Sequence, residues 1–324
     1  MVLIWKIAIM LSLIIAPLAG LTKSAQRCTI KKITTVQYSI ISEGLYEAGH
    51  QKGHRSHGGV WGGQYASYHH NLIAHQNSRA VRFNGSRAHD TVALIDYRNN
   101  VIYNWGSANA PYGGDVKIKG GVSKVNMVNN YYLPGPATSS VLKFMHALHA
   151  GATSTGTGQW HLSGNFMEGD KKLTTDNWKG LDLSEIPEAE RSIARSSTPF
   201  SVTAKLADQN AKDAYEDVLA NAGATLPKRD AVDERIVKEV KTRTATGMGS
   251  YGKPGIIDAP LAVGGWPVYN TATAPVDTDH DGMPDEWEKK NKLDANNSED
   301  RNKIGKDGYT MLEVYLNGLV FDRR

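Results

Sequence analysis

An acidic segment near the C-terminus, residues 277–288, has the residue types and the spacing of a calcium-binding loop. Its sequence, DTDHDGMPDEWE, matches the template D-x-[DN]-x-[DN]-G-x5-E at every specified position. The carboxylates at template positions 1, 3, 5, 9 and 12 are Asp277, Asp279, Asp281, Asp285 and Glu288. Hard oxygen ligands suit Ca²⁺ and not zinc, so the loop predicts a calcium site formed by these side chains. The alternative is a solvated acidic turn at the start of a helix.

The surroundings of this loop predict half of an EF-hand. No helix can closely precede it, because Pro275 ends a linker rich in Thr and Ala at residues 270–275. A second loop, which contains Asp307 and Gly308, lacks most of the required acidic positions. We expect it to support a helix over residues 310–319 without a strong site of its own. Residues 276–324 should therefore form a small EF-hand-like calcium-binding module.

A second candidate for chemistry is YHHNLIAHQNSRAVRF, residues 68–83, which combines histidines and amides with Arg79 and Arg82. The adjacent His69 and His70 suggest a metal site or an HNH-nuclease site. Adjacent residues of a strand point to opposite faces, however, so both cannot easily bind one ion. We interpret one histidine as structural and the other as facing a groove.

The elements that must position these residues follow from a repeat. A small polar residue followed by two apolar residues recurs at intervals of 29 to 35 residues. The repeated polar residues are Ser39, Asn71, Asn100, Asn130 and Asn165. A period of this size indicates stacked coils, each of which buries its apolar face only against its neighbours. At such a corner, an Asn amide can hydrogen-bond the Asn of the coils above and below.

Helical repeats of similar length are the main alternative to this interpretation. The flanking residues are rich in Val, Ile, Tyr, Thr and Gly, which favour strands and turns. We therefore predict an all-β fold, a right-handed, single-stranded parallel β-helix. Two segments with helical spacing, residues 204–222 and 230–241, should pack on the outside or the end of the solenoid.

Residues 68–83 resemble the core motif of the pectate lyases of polysaccharide lyase family 1, and residues 129–132 (NNYY) are similar to a following coil of that family. Residues 211–230, residues 255–266 and the calcium loop are similar to the form found in gut and soil Bacteroidetes. The resemblance extends from about residue 29 to the C-terminus. It implies a parallel β-helix, dependence on Ca²⁺ and cleavage of polygalacturonate by β-elimination.

This reaction removes the proton on C5 of a galacturonate unit, next to a carboxylate that is already an anion. Catalysis must therefore neutralise the carboxylate and hold a base near C5. The resemblance implies that Arg79 is the base and Arg82 a clamp on a substrate carboxylate, although guanidinium keeps its proton in nearly all settings. Residue types alone would favour a solvated strand face. The chain departs from the motif at Val81, where Pro is usual, and at Asn84, where many relatives have Arg.

Further candidates lie in a long Gly-rich loop, residues 50–63. Loops of this length inside a compact fold are usually functional or disordered. Lys52 matches the lysine that members of the family use on a substrate carboxylate. Because the alignment contains insertions here, His57 is a competing occupant of that role. A lysine in a glycine loop is otherwise simply solvated.

The catalytic calcium presents a gap. In the family, acidic residues on coils that precede Val36 bind this ion, and we expect these coils to be missing from this chain. Glu43 is the remaining carboxylate near the expected face. The Ca²⁺ predicted for residues 277–288 is therefore not the catalytic ion.

Three functions stay open at this stage. The first is a secreted pectate lyase or a fragment of one, and the second is a galacturonan-binding relic without catalysis. The third is a hydrolase on the same fold, such as a polygalacturonase. Hydrolysis needs paired carboxylates at a set separation, and no Asp cluster falls on consecutive coils. The hydrolase therefore ranks last.

Composition sets the outer limits. The 324 residues, 40% hydrophobic and 22% charged, suit one large domain at about residues 29–270 and a small module. The net charge of +4 permits a polyanionic partner, but no basic tract with interleaved aromatic residues supports nucleic-acid binding. Cys28 is the single cysteine, so no internal disulfide can form.

The N-terminus predicts export. Residues 1–25 contain an apolar run that is short for a membrane span and is interrupted by Pro17, so we predict a secretory signal peptide. We expect a secreted protein, extracellular or periplasmic, without a stable membrane span. We also expect a monomer.

Overall fold

The computed structural model describes residues 27–28, 33–87, 91–106, 110–202, 206–225, 228–268, 273–306 and 308–321. The predicted signal peptide and Asp307 lie outside the described residues. The chain divides into two compact units, Met1–Trp266 and Pro267–Arg324, which we call the solenoid unit and the C-terminal unit. No helix in the described part of the chain is long and apolar enough to cross a membrane.

The described strands of the solenoid unit form three parallel sheets. The first sheet contains β1 (Arg27–Cys28), β4 (Val60–Trp61), β7 (Val81–Phe83), β10 (Pro111–Gly113), β13 (Met145–Ala147) and β16 (Leu181–Asp182). The second contains β2 (Ile33–Gln37), β5 (Tyr65–His69), β8 (Val92–Arg98), β11 (Val122–Val128) and β14 (Gln159–Ser163). The third contains β3 (Ile40–Ser42), β6 (Leu72–Ala74), β9 (Val101–Tyr103), β12 (Tyr131–Leu133) and β15 (Phe166–Met167). The prediction of a parallel β-helix is confirmed.

Alternating side chains fill the interior of the solenoid. The strands β7, β10 and β13 of the first sheet each bury two residues and leave the residue between them half-buried. Aromatic rings pack against one another there: the Trp61 and Tyr68 rings are stacked with centroids 4.4 Å apart, and the Phe83 and Tyr97 rings meet edge to face at 5.4 Å. Rings of this size contribute a large buried apolar area to a core that extends along the coils.

An asparagine ladder follows the corner between the second and third sheets. The Asn71 amide donates to Asn100 Oδ1 (3.0 Å), Asn100 donates to Asn130 (3.0 Å), and Asn130 donates to Asn165 (2.8 Å). The same oxygens accept backbone N–H groups of the preceding coil. Asn177 Oδ1 accepts a hydrogen bond from the Asn165 amide, and Asn177 is the last member of the described ladder. The predicted pairing between coils is confirmed.

Five α-helices accompany the strands in the described part of the chain. They are α1 (Lys171–Thr175), α2 (Ala211–Asn221), α3 (Ala231–Thr242), α4 (Asp285–Lys290) and α5 (Met311–Phe321). Short 3-10 turns occupy Gly151–Thr153, Asn177–Gly180, Glu188–Glu190, Pro260–Val263 and Asp300–Asn302. The predicted helix over residues 204–222 starts later, at Ala211, because the Asn210 side chain caps two N–H groups there.

Helices and loops cover two of the three sheets from outside. Side chains of α2 and α3, among them Val218 and Ile236, share an apolar cluster with the third sheet. On the second sheet, Asn126 exchanges two hydrogen bonds with the backbone of Phe200 (2.9 and 3.0 Å). The outward side chains of the first sheet remain half-buried, so this face is the accessible one.

The C-terminal unit brings α4 and α5 together. The Trp287 and Tyr315 rings meet edge to face with centroids 5.1 Å apart. Met283 is fully buried beside the acidic loop. The helix predicted for residues 310–319 is present as α5, and the Glu313 carboxylate accepts the N–H of Thr310 (2.7 Å) at its start.

Candidate functional site

The accessible face of the first sheet carries a row of polar side chains. Backbone pairing aligns Arg82 on β7 with Tyr112 on β10, Tyr112 with His146 on β13, and His146 with Asp182 on β16. Neighbouring strands lie about 4.8 Å apart, so these four residues form a continuous track along the coils. We call this set of four the Arg82 row.

Arg79 sits at the edge of the row, in a tight turn before β7. Its φ of 52° is left-handed, and its carbonyl accepts the N–H of Gly58 (2.9 Å) from the Gly-rich loop. A Cβ on Gly58 would come within 2.3 Å of the Ala80 carbonyl oxygen. Position 58 therefore requires glycine, which lets the loop pack directly against the turn that presents Arg79.

The guanidinium of Arg79 lies 5.7 Å from the centroid of the Tyr112 ring, and that of Arg82 lies 5.8 Å from it. Burial raises the pKa of the Tyr112 phenol, against the opposing charges of both arginines. Among the described residues, Arg79 has no carboxylate at ion-pair distance. A cation without a carboxylate partner at an accessible face is suited to an anionic ligand.

The neighbourhood of Arg82 has more positive than negative charge. Arg82, Arg87 and Lys117 all contact the buried carboxylate of Asp115, at 3.2, 2.8 and 3.5 Å. With Arg79, which lies beside the same Tyr112 ring as Arg82, four cationic side chains stand at this end of the row, and Asp115 is the one carboxylate that the described contacts place among them. The far end of the row is different, because His146 lies between Asp182 (2.9 Å) and Glu185 (3.1 Å).

The two candidates of the Gly-rich loop fall in different environments. His57 pairs with Ser78 in an isolated parallel bridge next to Arg79. Burial, together with the charges of Arg79 and Arg55, lowers the pKa of His57 to about 3, so its imidazole is neutral at ordinary pH. Lys52 is exposed, and its described polar contacts are those of its backbone. The structure thus brings His57, and not Lys52, to Arg79.

The departures from the family motif have local explanations. Val81 is fully buried in the core cluster of the solenoid. Asn84 is also buried, and its carbonyl accepts the Nε–H of Arg87 (2.7 Å). Arg87 therefore supplies a guanidinium close to the position where many relatives have Arg in place of Asn84.

The expectation that His69 and His70 point to opposite faces is wrong. His70 adopts a left-handed φ of 54°, which breaks the strand alternation, and the two Nδ1 atoms lie 2.7 Å apart. Both rings are buried, and His70 Nε2 contacts Gln209 Oε1 (2.7 Å). Burial and the neighbouring His70 lower the pKa of His69 to about 3. Neither histidine faces a groove.

Glu43, the remaining acidic candidate on the solenoid, is already paired. Both of its oxygens accept from the Arg235 guanidinium, at 2.7 and 2.9 Å. Arg235 also contacts Glu239 (3.2 Å). In the described part of the solenoid unit, no three acidic or histidine side chains converge as metal ligands would. Glu43 therefore does not fit the role of a calcium ligand.

The acidic loop of the C-terminal unit does bring ligands together. Oxygens of Asp277, Asp279 and Asp281 lie within 4.8 Å of one another. A second group, formed by Asp281, Glu288 and Asp300, meets the same limit. Carboxylate oxygens at this spacing fit Ca²⁺ and would supply it with several hard ligands. Burial and the neighbouring Asp279, Asp281 and Asp300 raise the pKa of Glu288 to about 7.

Asp285 has a different set of contacts from the other loop carboxylates. Its oxygens accept the N–H (2.7 Å) and the hydroxyl (2.6 Å) of Thr278, which lower its pKa. It belongs to neither converging group in the described residues. Its predicted role as a ligand therefore stays a prediction.

No family model matches the chain. This chain is similar to probable pectate lyases. Curated relatives named "Probable pectate lyase C" are 30% identical over 288 residues in Aspergillus fumigatus (strain CBS 144.89), 31% over 291 in Neosartorya fischeri and 31% over 301 in Aspergillus flavus. Each alignment covers 88% of this chain and 59% of the relative, so the chain spans less than two thirds of these proteins. The relatives are fungal, and the Bacteroidetes affiliation stays a prediction.

Several residues of the site escaped the sequence reasoning. Tyr112 lies 30 residues after Arg82, which is the period of the repeat, so coil spacing could have identified it. Asp115 and Arg87 had no comparable signal, because the loops that carry them do not repeat. Asp300 lies outside the calcium template and gave no pattern to match.

Proposed function

We propose that this chain is a pectate lyase of polysaccharide lyase family 1, which cleaves polygalacturonate by β-elimination at the Arg82 row. The observation that carries the proposal is the excess of positive charge beside an accessible, half-buried track. Among the described residues near Arg82, the cations Arg79, Arg82, Arg87 and Lys117 outnumber the carboxylate of Asp115, whereas Asp182 and Glu185 lie at the far end of the row. A polyanionic sugar chain supplies the missing negative charge. The similarity to probable pectate lyases supports the same substrate.

In this proposal the chain's own residues divide the work. Arg82 clamps a galacturonate carboxylate, and Tyr112 offers a ring face against which a sugar can pack. Arg79, in its deprotonated form, takes the proton from C5; the C4=C5 double bond forms as the C4–O4 glycosidic bond breaks, and the leaving oxygen takes a proton from water. The cations Arg82, Arg87 and Lys117 stabilise the charge that develops on the substrate carboxylate. Neutral His57 lines the entry to Arg79 without adding charge. Lys52, exposed on the Gly-rich loop, can reach a substrate carboxylate outside the row.

The proposal includes calcium as an ion that stabilises the C-terminal unit, but not as a catalytic ion on the solenoid. The described solenoid residues do not fit a catalytic ion, since Glu43 is bound by Arg235 and no acidic group converges there. We therefore derive no catalytic step through a solenoid-bound ion, and neutralisation of the substrate rests on the arginines. The acidic groups of the C-terminal unit fit Ca²⁺, and we propose that this ion stabilises that unit.

A second candidate is a galacturonan-binding protein without catalysis. The engagement of Glu43 by Arg235 favours it, because binding needs only the basic face of the row. A polygalacturonase gains no support. The buried carboxylates Asp96 and Asp115 are both held by arginines, Asp96 by Arg98 at 2.6 Å.

The deciding experiment follows ultraviolet absorbance of the unsaturated product from polygalacturonate, with Ca²⁺ and with chelator. We expect a signal in wild type that falls about a thousandfold in Arg79→Ala, the size of effect that a general base contributes. Arg191→Ala is the matched control, because Arg191 is a half-buried arginine that pairs with Glu188 and is not part of the Arg82 row.

The other outcomes separate the candidates. Reducing ends without ultraviolet absorbance would indicate a hydrolase. Retardation in polygalacturonate gels without either product would indicate the binding protein. Full activity in Arg79→Ala would show that the base is another residue.

We further propose that the protein is secreted and acts as a monomer. The similarity to pectate lyases supports the extracellular location, because polygalacturonate lies outside cells. Sedimentation of the purified chain would test the oligomeric state.

A further inference from the structure

The C-terminal unit buries more carboxylate than one calcium loop requires. Asp300 begins the 3-10 turn Asp300–Asn302, twelve residues beyond the end of the loop template. Its side chain nevertheless converges with Asp281 and Glu288. Because Asp281 also belongs to the group with Asp277 and Asp279, the two groups share one ligand.

The group that contains Asp300 is buried, and several of its carboxylate oxygens have no hydrogen-bond donor among the described residues. Glu288 is 0% exposed, and neither of its oxygens accepts a hydrogen bond among the described residues. One oxygen each of Asp281 and Asp300, which are 3% and 1% exposed, is also without a donor. Buried carboxylate oxygens without partners are strongly unfavourable unless a cation binds them.

The group formed by Asp277, Asp279 and Asp281 accepts hydrogen bonds from the backbone of the loop. Both oxygens of Asp277 accept backbone N–H groups, from Asp281 and Gly282, at 3.2 and 3.1 Å. The N–H of Asp281 also reaches Asp279 Oδ1 (3.2 Å). The loop backbone therefore organises this group, in which Asp279 Oδ2 has no donor among the described residues; the other four unpartnered oxygens of the cluster belong to Asp281, Glu288 and Asp300. One ion in the loop would leave the Asp300 side of the cluster without compensation.

Protein cations do not supply that compensation. Lys303 Nζ lies 3.4 Å from Asp300 Oδ2, but its side chain is 56% exposed and it engages the oxygen that already accepts from Asp294 N–H. The other oxygen, Asp300 Oδ1, is buried and has no donor among the described residues. Five carboxylates in total, those of Asp277, Asp279, Asp281, Glu288 and Asp300, exceed the charge of a single divalent ion.

We propose a second divalent-cation site, formed by Asp281, Glu288 and Asp300, next to a loop site formed by Asp277, Asp279 and Asp281. Asp281 is the ligand common to both. The all-oxygen ligand set selects Ca²⁺. The second ion joins α4 to the 3-10 turn Asp300–Asn302 and so fixes the segment that leads into α5. This inference does not depend on the proposed lyase activity.

The test counts Ca²⁺ bound to the full chain by equilibrium dialysis at about 1 mM free ion, a concentration typical of extracellular modules. The Asp281→Asn/Glu288→Gln double variant disrupts both sites and gives the count from the rest of the chain. Above that baseline, we expect two ions in wild type and one in Asp300→Asn. Glu299→Gln removes the same charge from an exposed neighbour and should retain two.

Three results would overturn the proposal. One ion in wild type would mean that Asp300 completes a single site. Two ions in Asp300→Asn would mean that Asp300 is not a ligand, and none would mean that the two sites are not separate. Because these are counts of bound metal, they do not require enzyme activity; circular dichroism of each variant shows whether it is folded, so that a lost ion can be assigned to a lost ligand.

Discussion

Asp233 is a buried carboxyl in the first turn of α3, and it titrates in an unusual range. Burial raises its pKa to about 6; the N–H of Ala224, which donates to Oδ2 at 3.0 Å, works against this shift, and the charge of Asp230 adds to it. The other oxygen, Oδ1, accepts no hydrogen bond among the described residues. The folded protein therefore holds this proton more tightly than the unfolded chain does, where the pKa is 3.8.

This shift predicts how stability depends on pH. Between about pH 4 and pH 6 the folded state carries more protons, so the free energy of unfolding falls as pH rises. Asp233→Asn keeps an acceptor for Ala224 and removes the charge, and it should flatten this decline and stabilise the protein at about pH 7. Urea unfolding followed by tryptophan fluorescence across this range measures the effect.

The control for this prediction is Asp213→Asn. Asp213 occupies the first turn of α2 but is exposed, so its substitution should leave the slope unchanged. An unaltered slope in Asp233→Asn would contradict the assignment of the decline to Asp233.

Individual residues were predictable where a template fixed their spacing. The loop template selected Asp277, Asp279 and Asp281, whose oxygens do converge because these residues follow one another along a continuous backbone. Their role as calcium ligands stays a prediction. The template missed Asp300, which reaches Asp281 only through tertiary folding. The interpretation of His69 and His70 failed for a backbone reason, since strand alternation does not hold at a left-handed residue.

The asparagine ladder is the element that joins one coil to the next. Asn100 lies at its centre with no exposure, and its amide binds the Tyr68 carbonyl and Asn130, while its oxygen accepts from Asn71. Asn100→Ala would leave these groups buried and unpaired. We expect a loss of about 3 kcal/mol in the free energy of unfolding, because each orphaned group is costly in the interior.

A position at the end of the ladder provides the comparison. Ser39 follows the same corner, but its hydroxyl donates only to the nearby Gln37 carbonyl (3.0 Å). Ser39→Ala should therefore cost less than Asn100→Ala in the same denaturant titration. Equal losses would mean that the ladder does not contribute beyond local packing.

Whether a segment of the solenoid forms a strand or a helix was predictable, because the repeated corner residues and the β-branched residues beside them both indicate strands. Their lengths were not, because a strand as short as Val81–Phe83 contains too few residues to show a period. The start of α2 depends on Asn210, whose side chain caps the helix. The alanines that precede Asn210 favour a helix by propensity, so the sequence predicted a start that is too early. The Arg82 row depends on the register of the first sheet, which no single segment encodes.

At the scale of the whole molecule, the two units should respond differently to removal of calcium. Without cations, the five converging carboxylates of the C-terminal unit repel one another. We expect chelator to speed amide hydrogen exchange over residues 277–321 and to leave residues 33–202 unchanged. Hydrogen exchange with mass spectrometry resolves the two ranges.

The Asp281→Asn/Glu288→Gln variant is the control for chelation, since it lacks the ligands and should no longer respond. Faster exchange across the solenoid as well would show that its coils also depend on bound calcium. Unchanged exchange in both ranges would contradict a structural role of the ion.

The grouping of Arg82, Arg87 and Lys117 around Asp115, with Arg79 beside the same Tyr112 ring as Arg82, gives added salt two opposite effects. Repulsion among these cations destabilises the folded protein when no substrate is bound, and anions from the salt reduce that repulsion. The same anions compete with a polyanionic sugar for the same surface. Moderate ionic strength should therefore raise the melting temperature of the solenoid while it weakens substrate retention. In concentrated salt the protein should therefore resist unfolding for longer and bind its substrate more weakly.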